Sequence, residues 1–388
     1  MFSNFMGSTT AFPYSGYGAR DQWRQLDEAA RIPRVSEEEG QTRPIRWLRE
    51  TARTIWGGAR VGEIVQLRGD ASARRFWRVR LRKGAGRDSA TPETAILVDL
   101  GADDLPRYVR ALKLLPEAPL EPPWINVHRF LTGIQVGVPK LYAASIKDRW
   151  ILVEDAGDNS LFFDALGAPQ RVSELYRHAV EELALIHVVG TRNRNKQCAA
   201  FSIAYEERLF LWEMNEFIEF GLPKLGWKGA AEPVSNELAK LSHYLGELPR
   251  VFSHRDYHGG NLFAQGNRIR VIDFQDALMA PAAQDLAVLM TTRNTARVIA
   301  PMRESELMAY YLRCAKRRGA ETQDVSEFAL SYRRCVLQHA IKMIGRFIWL
   351  NETKPGYIDF VPDCAAQARR MLSAEDNFPI LRTVFGLG

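Results

Sequence analysis

The stretch Phe252–Ala277, FSHRDYHGGNLFAQGNRIRVIDFQDA, sets His254, Arg255, Asp256, Asn261 and Asp273 among short apolar pieces. Charge beside hydrophobic strands is costly unless it is paired or holds a cation. The side-chain oxygens of Asn261 and Asp273 are hard donors of the kind Mg²⁺ takes. The Gly259-Gly260 pair permits a tight turn that folds Asn261 back beside Asp256. Asp256 then keeps a separate task, orienting or deprotonating an attacking hydroxyl. The competing reading is a purely structural polar network, and several neighbours fit that reading better. His254 reads as a core histidine bracing the loop and Arg255 as the partner of a local acid. Asp276 reads equally as a substrate contact or a loop brace. Asp285 reads as a cap on its own helix that also ties the loop down.

Other elements must carry these residues. Arg46–Ile55 spaces Trp47, Leu48, Ala52 and Ile55 like one helical face. Glu63–Leu67, RRFWRVRLR and TAILVDL then read as strands separated by turns, and VPKLYAASIKDRWILVEDAGD adds two more, so the first part holds a small antiparallel sheet. Asp103–Leu115 and Trp124–Thr132 look helical. After Asp158 the period changes to 3.6 residues over 172–188, 205–220, 234–248, 283–291, 305–316 and 326–350. Around the opening stretch, Val251-Phe252, Leu262-Phe263 and Ile269–Phe274 imply a β-loop-β hairpin presenting Asp256, Asn261 and Asp273 at one edge. The expected fold class is α+β with two lobes. Residues 1–45 form a flexible or peripheral extension, 46–156 a sheet-based N-lobe, and 157–388 a mainly helical C-lobe, the boundary falling near Ala156-Gly157.

The run His254-Arg255-Asp256-x4-Asn261 followed by Asp273-Phe274 resembles the catalytic and metal-binding loops of the kinase fold. Asp273 lies 17 residues after Asp256, and ALMAPAAQDLAVLM follows it where a protein kinase would carry an activation loop. That pattern resembles the aminoglycoside phosphotransferase superfamily of small-molecule kinases. Within it, GDASARRFWRV (69–79), ILVEDAGD (151–158), HRDYHGGNL (254–262) and VIDFQDALMAPAAQDL (271–286) are similar to the N-acetylmuramate/N-acetylglucosamine anomeric kinases of cell-wall sugar recycling. The resemblance implies ATP and Mg²⁺ as cofactors, with Asp256 as catalytic base and Asn261 and Asp273 as metal ligands. It also implies that Glu154 to Ala156 offer backbone groups to adenine and that Ser72 lies over the phosphates. The first turn lacks GxGxxG, and TAILVDL lacks the lysine that kinases use to grip phosphate. Arg74, Arg75 or Arg78 is expected to supply that charge, since arginine suits bidentate phosphate contact. Glu213, on an amphipathic helix, is expected either to bind sugar hydroxyls or to face solvent, while His187 and the 343–350 run read as core.

Composition bounds the partners. The chain has 388 residues, 46% hydrophobic and 25% charged, and a net charge of +6, which suits an anionic substrate without specifying one. Four scattered cysteines with no metal spacing and the lack of a signal-peptide pattern lead to an expected cytoplasmic location. No run approaches the ~18 apolar residues of a membrane span, and no motif points to nucleic acid. The oligomeric state is not legible. A sugar or alcohol acceptor is expected; the alternatives are an aminoglycoside, choline or homoserine kinase, or a nucleotide-binding pseudokinase. The arginine-rich region after residue 290 disfavours polycationic acceptors.

Overall fold

The computed structural model describes residues 43–67, 74–84, 91–101, 105–115, 121–292, 295 and 298–387. The extension expected over 1–45 therefore lies outside the described residues, except for its last three, which begin the first helix. Ser72 also lies outside them.

The chain divides into two compact units, residues 1–102 with 141–155 and residues 103–140 with 156–388. The first unit opens with α1 (Arg43–Ile55), whose Ile45, Leu48 and Ala52 are buried, so the inward face sits slightly off the Trp47–Ile55 stripe expected from periodicity. Strands β1 (Arg60–Leu67), β2 (Arg75–Arg82) and β3 (Thr94–Asp99) follow. The second unit's α2 (Arg107–Ala111) and α3 (Pro123–Gly133) come next in the chain. Then β4 (Leu141–Ser145) and β5 (Trp150–Glu154) complete an antiparallel sheet of order β1-β2-β3-β5-β4. Alternation along β2 turns Trp77, Val79 and Leu81 inward and the arginines outward, so the inward set packs with Leu48, Ala52 and Trp56.

The contiguous 46–156 lobe is corrected here: residues 103–140 pack with the helical unit. Trp124 on α3 lies 5.1 Å from the Phe274 ring, and the Asn126 amide donates to the Gln197 carbonyl at 2.8 Å. The Val271 N–H donates to the Gly137 carbonyl at 2.7 Å; a Cβ on Gly137 would stand 2.1 Å from the Ile269 oxygen, so only glycine permits that approach.

The helical unit continues with α4 (Leu161–Gly167), α5 (Val172–Arg192), α6 (Glu207–Glu216) and α7 (Ala231–Glu247). Strands β6 (Arg250–Ser253), β7 (Leu262–Gln265), β8 (Arg268–Val271) and β9 (Leu278–Pro281) precede α8 (Ala282–Thr291), α9 (Pro301–Arg317), α10 (Val325–Asn351), α11 (Val361–Leu372) and α12 (Pro379–Val384). Helices α4, α11 and α12 were not expected from periodicity; α2 is shorter than the 103–115 span. The anticipated hairpin forms in part: β7 pairs with β8, whereas β6 pairs with β9. The LMAP segment that pairs with β6 is buried at all four positions, so it shows no alternation to mark it as a strand. Every residue of α8 is buried, which makes it the central helix of the unit.

Helix α6 runs on into a π turn over Phe217–Gly221, against which α10 packs. A Cβ on Gly345 would lie 2.4 Å from the Glu216 carbonyl carbon and the Phe217 nitrogen. Gly345→Ala is therefore expected to destabilise the protein by about 1–3 kcal/mol, because the obstacle is backbone and cannot rotate away. Denaturant unfolding checks this; a neutral result would contradict the close approach.

His339, also on α10, holds Thr292 Oγ1 at 2.8 Å through Nε2, while its Nδ1 is buried without a partner. Burial, with Lys342 next, pulls its pKa down to about 3 against the opposing pull of Asp256 and Glu213. As pH falls below the ordinary 6.5, the unfolded chain takes up this proton first. Stability present above 6.5 is thus lost progressively towards pH 3. His339→Gln is expected to flatten the decline of the unfolding midpoint below pH 6.5, measured by thermal scans across pH.

Candidate active site

Strand β6 ends at Ser253 and hands the chain to a loop held by a buried acid. Asp285, fully buried, accepts the His254 N–H at 2.7 Å and the Arg255 N–H at 2.8 Å. Its Oδ2 also meets His187 Nε2 at 3.1 Å, and His187 Nδ1 meets the Tyr311 hydroxyl at 2.8 Å. Burial alone would raise the Asp285 carboxyl, but its contacts with His187, and then the nearby His254, hold it below the ordinary range. The capping expectation is corrected: the N-cap of α8 is Pro281, and Asp285 in the first turn spends its oxygens on the loop. His187 is the buried helix histidine expected, and it supports Asp285.

With those amides fixed, Arg255 adopts a left-handed φ of 77° and Asp273 one of 63°. Such backbone costs about 1–3 kcal/mol in a non-glycine residue and persists where its surroundings enforce it. His254 Nε2 donates to the Ile272 carbonyl at 3.0 Å, and the Ile272 N–H donates to the Asn261 carbonyl at 3.0 Å. The Asn261 amide nitrogen donates to the Asp256 carbonyl at 3.0 Å. These bonds bring Asp256, Asn261 and Asp273 onto one hydrogen-bonded frame, with His254 as the brace. Gln275 Nε2 donates to Asp273 Oδ1 at 3.0 Å. The Asn261 nitrogen is spent on backbone, so the carboxamide oxygen is the atom to offer a cation. One carboxylate and one carboxamide fit Mg²⁺, which takes few protein oxygens beside phosphate and water.

Half-buried Asp256 is pushed upward by burial, yet the charges of Arg255, then Lys342, His258 and His254, outweigh that and keep its carboxyl below the usual range. It is therefore an anion at neutral pH, able to accept a hydroxyl proton.

Arg255 lies over the Tyr108 ring at 4.0 Å and pairs with Glu213 at 2.6 Å and Asp276 at 3.7 Å. Glu213 also holds Lys342 at 3.0 Å, accepts from the Tyr205 hydroxyl, and meets Gln338 at 3.4 Å. The structure corrects both expectations for Glu213. It is 1% exposed, so it is no solvated face, and its oxygens are occupied by protein groups, so it is no sugar ligand. Burial opposes its charge, but Lys342 and Arg255 lower its pKa to about 2. Asp276, in the turn after Asp273, takes the bracing alternative through Arg255.

The residues expected to meet nucleotide lie elsewhere in the chain's organisation. Arg75 on β2 pairs with Asp99 at 2.5 Å, Arg78 pairs with Asp155 at 2.7 Å, and β5 ends at Glu154. The two-unit division passes between Asp155 and Ala156. Sequence reasoning missed Lys342, Gln338, Tyr205 and Tyr108. The available signal was Lys342 and Arg346, charged at helical spacing inside an otherwise apolar run.

A family model described as the phosphotransferase enzyme family matches residues 63–319, about two thirds of the chain. The chain is 27% identical over 258 residues to the N-acetylmuramate/N-acetylglucosamine kinase of Caulobacter vibrioides. That match covers 62% of this chain and 65% of the relative, so it spans less than two thirds of the relative's length. A protein of the same name from Pseudomonas aeruginosa is 26% identical over 318 residues, covering 79% of this chain and 83% of its own. Among solved structures, the choline kinase LicA from Streptococcus pneumoniae superimposes with a TM-score of 0.54 at 13% identity, over 85% of this chain and 98% of that one, a likeness of fold.

Proposed function

Since the chain belongs to the phosphotransferase enzyme family, we propose that it is an ATP-dependent small-molecule kinase. Its acceptor is the anomeric hydroxyl of an N-acetylated amino sugar, N-acetylmuramate or N-acetylglucosamine. One observation carries the reading: Asp256 shares a hydrogen-bonded frame with the two hard donors Asn261 and Asp273. The names of the curated relatives support the sugar as acceptor.

In this reading the acceptor oxygen bonds to the γ-phosphorus, the bond to the β-bridging oxygen breaks, and ADP departs. Asp256 orients the hydroxyl and receives its proton. Asn261 and Asp273 would hold Mg²⁺, which supplies neutralisation of phosphate charge when bound. Asp285 and His254 keep the loop from drifting, which matters because phosphoryl transfer is mainly positioning. Glu154 and Ala156 would offer backbone groups to adenine, and Arg75 with its neighbours would supply phosphate charge.

ADP release tests this with N-acetylmuramate, N-acetylglucosamine, choline and kanamycin as acceptors. Turnover of the amino sugars with loss of their reducing ends is expected, since a phosphate on the anomeric oxygen locks the ring. Preferential turnover of choline or kanamycin would overturn the acceptor. ATP binding without turnover of any of them would favour a pseudokinase.

A further inference from the structure

Beyond the Glu213 hub, a second layer of charge joins α2, α6 and α10. Glu216 accepts from Arg107 at 2.9 Å on one oxygen and faces Arg346 at 3.0 Å on the other. The Arg107 guanidinium lies 5.6 Å from the Trp212 ring and 5.0 Å from the Trp349 ring, and Arg346 lies 5.3 Å from the Trp349 ring. Two tryptophans thus hold two guanidiniums in place, an arrangement that stacks the planar cation and leaves further N–H groups to bond.

The charge count differs between the layers. Inside, Arg255 and Lys342 face three acids, Glu213, Asp276 and Asp256. In the outer layer, among the described residues, two arginines share one glutamate, an excess of one positive charge. The Arg107 side chain is 56% exposed, so this excess is reachable, whereas Glu216 is only 10% exposed. Burial lowers the hold of Arg346 on its proton; Glu216 and Glu213 oppose that, while Arg107 and Arg255 add to it, so a further anion would relieve the crowding.

The layer is also aimed along a defined line. Lys342, Arg346 and Trp349 occupy successive turns of α10, about 6 Å per four residues. Lys342 shares Glu213 with Arg255, the residue before Asp256. The row therefore begins at the hub next to the proposed base and runs outward to the tryptophans.

We propose that Arg107 and Arg346, pinned by Trp212 and Trp349, form the subsite that receives a carboxylate carried by the acceptor sugar. The subsite rests on the sugar-kinase reading above and adds to it the part of the acceptor that is recognised. A charged substituent two ring carbons from the anomeric carbon, as the 3-O-lactyl ether of N-acetylmuramate is, would meet the guanidiniums while the hydroxyl stays with Asp256.

The test compares N-acetylmuramate, its methyl ester and N-acetylglucosamine as acceptors for the full chain. The wild type is expected to favour the free acid over the ester by about 10- to 100-fold in kcat/KM, the scale of a charge-assisted hydrogen bond. In Arg346→Gln and Arg107→Gln the ratio should fall towards one through KM, and Arg346→Lys should restore part of it. Calorimetric binding of acid and ester reads the same ratio if a variant loses turnover, and thermal unfolding reports folding. No acid preference in the wild type, or a preference that survives both substitutions, overturns the subsite while the kinase reading stands. Failure of the wild type to phosphorylate any of the three sugars would instead overturn the sugar acceptor itself, and the subsite with it.

Discussion

Asp256→Asn is expected to lower kcat for ADP release by about 10²–10⁴-fold, the usual contribution of a positioned general base, while barely moving the thermal midpoint. The amide preserves shape but accepts a proton poorly. The loop keeps its architecture because its tethers do not use the Asp256 carboxylate. Asp285 holds the His254 and Arg255 amides, and Asn261 binds the Asp256 backbone carbonyl. Arg255 retains Glu213 and Asp276, so removal of the Asp256 charge leaves no buried cation stranded. A coupled steady-state assay with ATP and N-acetylglucosamine, paired with calorimetric unfolding, separates the two effects. A rate within an order of magnitude of wild type would remove Asp256 from the chemistry.

Glu213→Leu should produce the largest loss of stability. The substitution keeps roughly the volume but removes the acid at 3.0 Å from Lys342 and leaves Arg255 only its longer contact with Asp276, inside a site that is 1% exposed at residue 213. Stranding a buried charge in this way costs about 3–5 kcal/mol. It also leaves the Tyr205 hydroxyl and the Gln338 amide short of a partner. The Arg255 side chain, next to Asp256, loses its short ion pair, so activity should fall with stability. The double variant Glu213→Leu/Lys342→Met, compared with each of its single variants, removes one charge of each sign and is expected to recover part of the loss because the remaining arginine keeps Asp276. Denaturant unfolding of the single and double variants measures the coupling. Strict additivity would mean that Lys342 and Glu213 do not act on each other.

The acid side of the pH profile carries the same signature. Glu213 titrates at about 2 in the folded chain against an ordinary 4.5, so the unfolded chain binds this proton first as pH falls. Its stabilisation is present above 4.5 and is lost towards pH 2, adding to the earlier loss from His339.

The sequence by itself determined that the proposed site residues lie close together in the chain and marked most of the elements around them. Asp256, Asn261 and Asp273 sit within one short stretch, and the strands β1 to β5 and the long helices announce themselves by period, because both signals are local. Tertiary structure decided everything that depended on a distant partner. The pairing of β6 with β9 was hidden because a strand buried on both faces does not alternate. The membership of residues 103–140 in the helical unit was hidden because their contacts lie more than a hundred residues away on Ile269, Val271 and Phe274. Asp285 reads in the sequence as a helix cap that also ties the loop down; the tether is there, 31 and 30 residues back, but the cap is not, because its oxygens are spent on that tether. Glu213 looked amphipathic because helical period reports which face a residue occupies, and cannot report that the facing helix brings a lysine and a glutamine to it. Gln338 lies 125 residues further along, on the same helix α10 whose Gly345 comes close to the end of α6. Period is a property of neighbours in sequence; charge balance in a core is a property of neighbours in space.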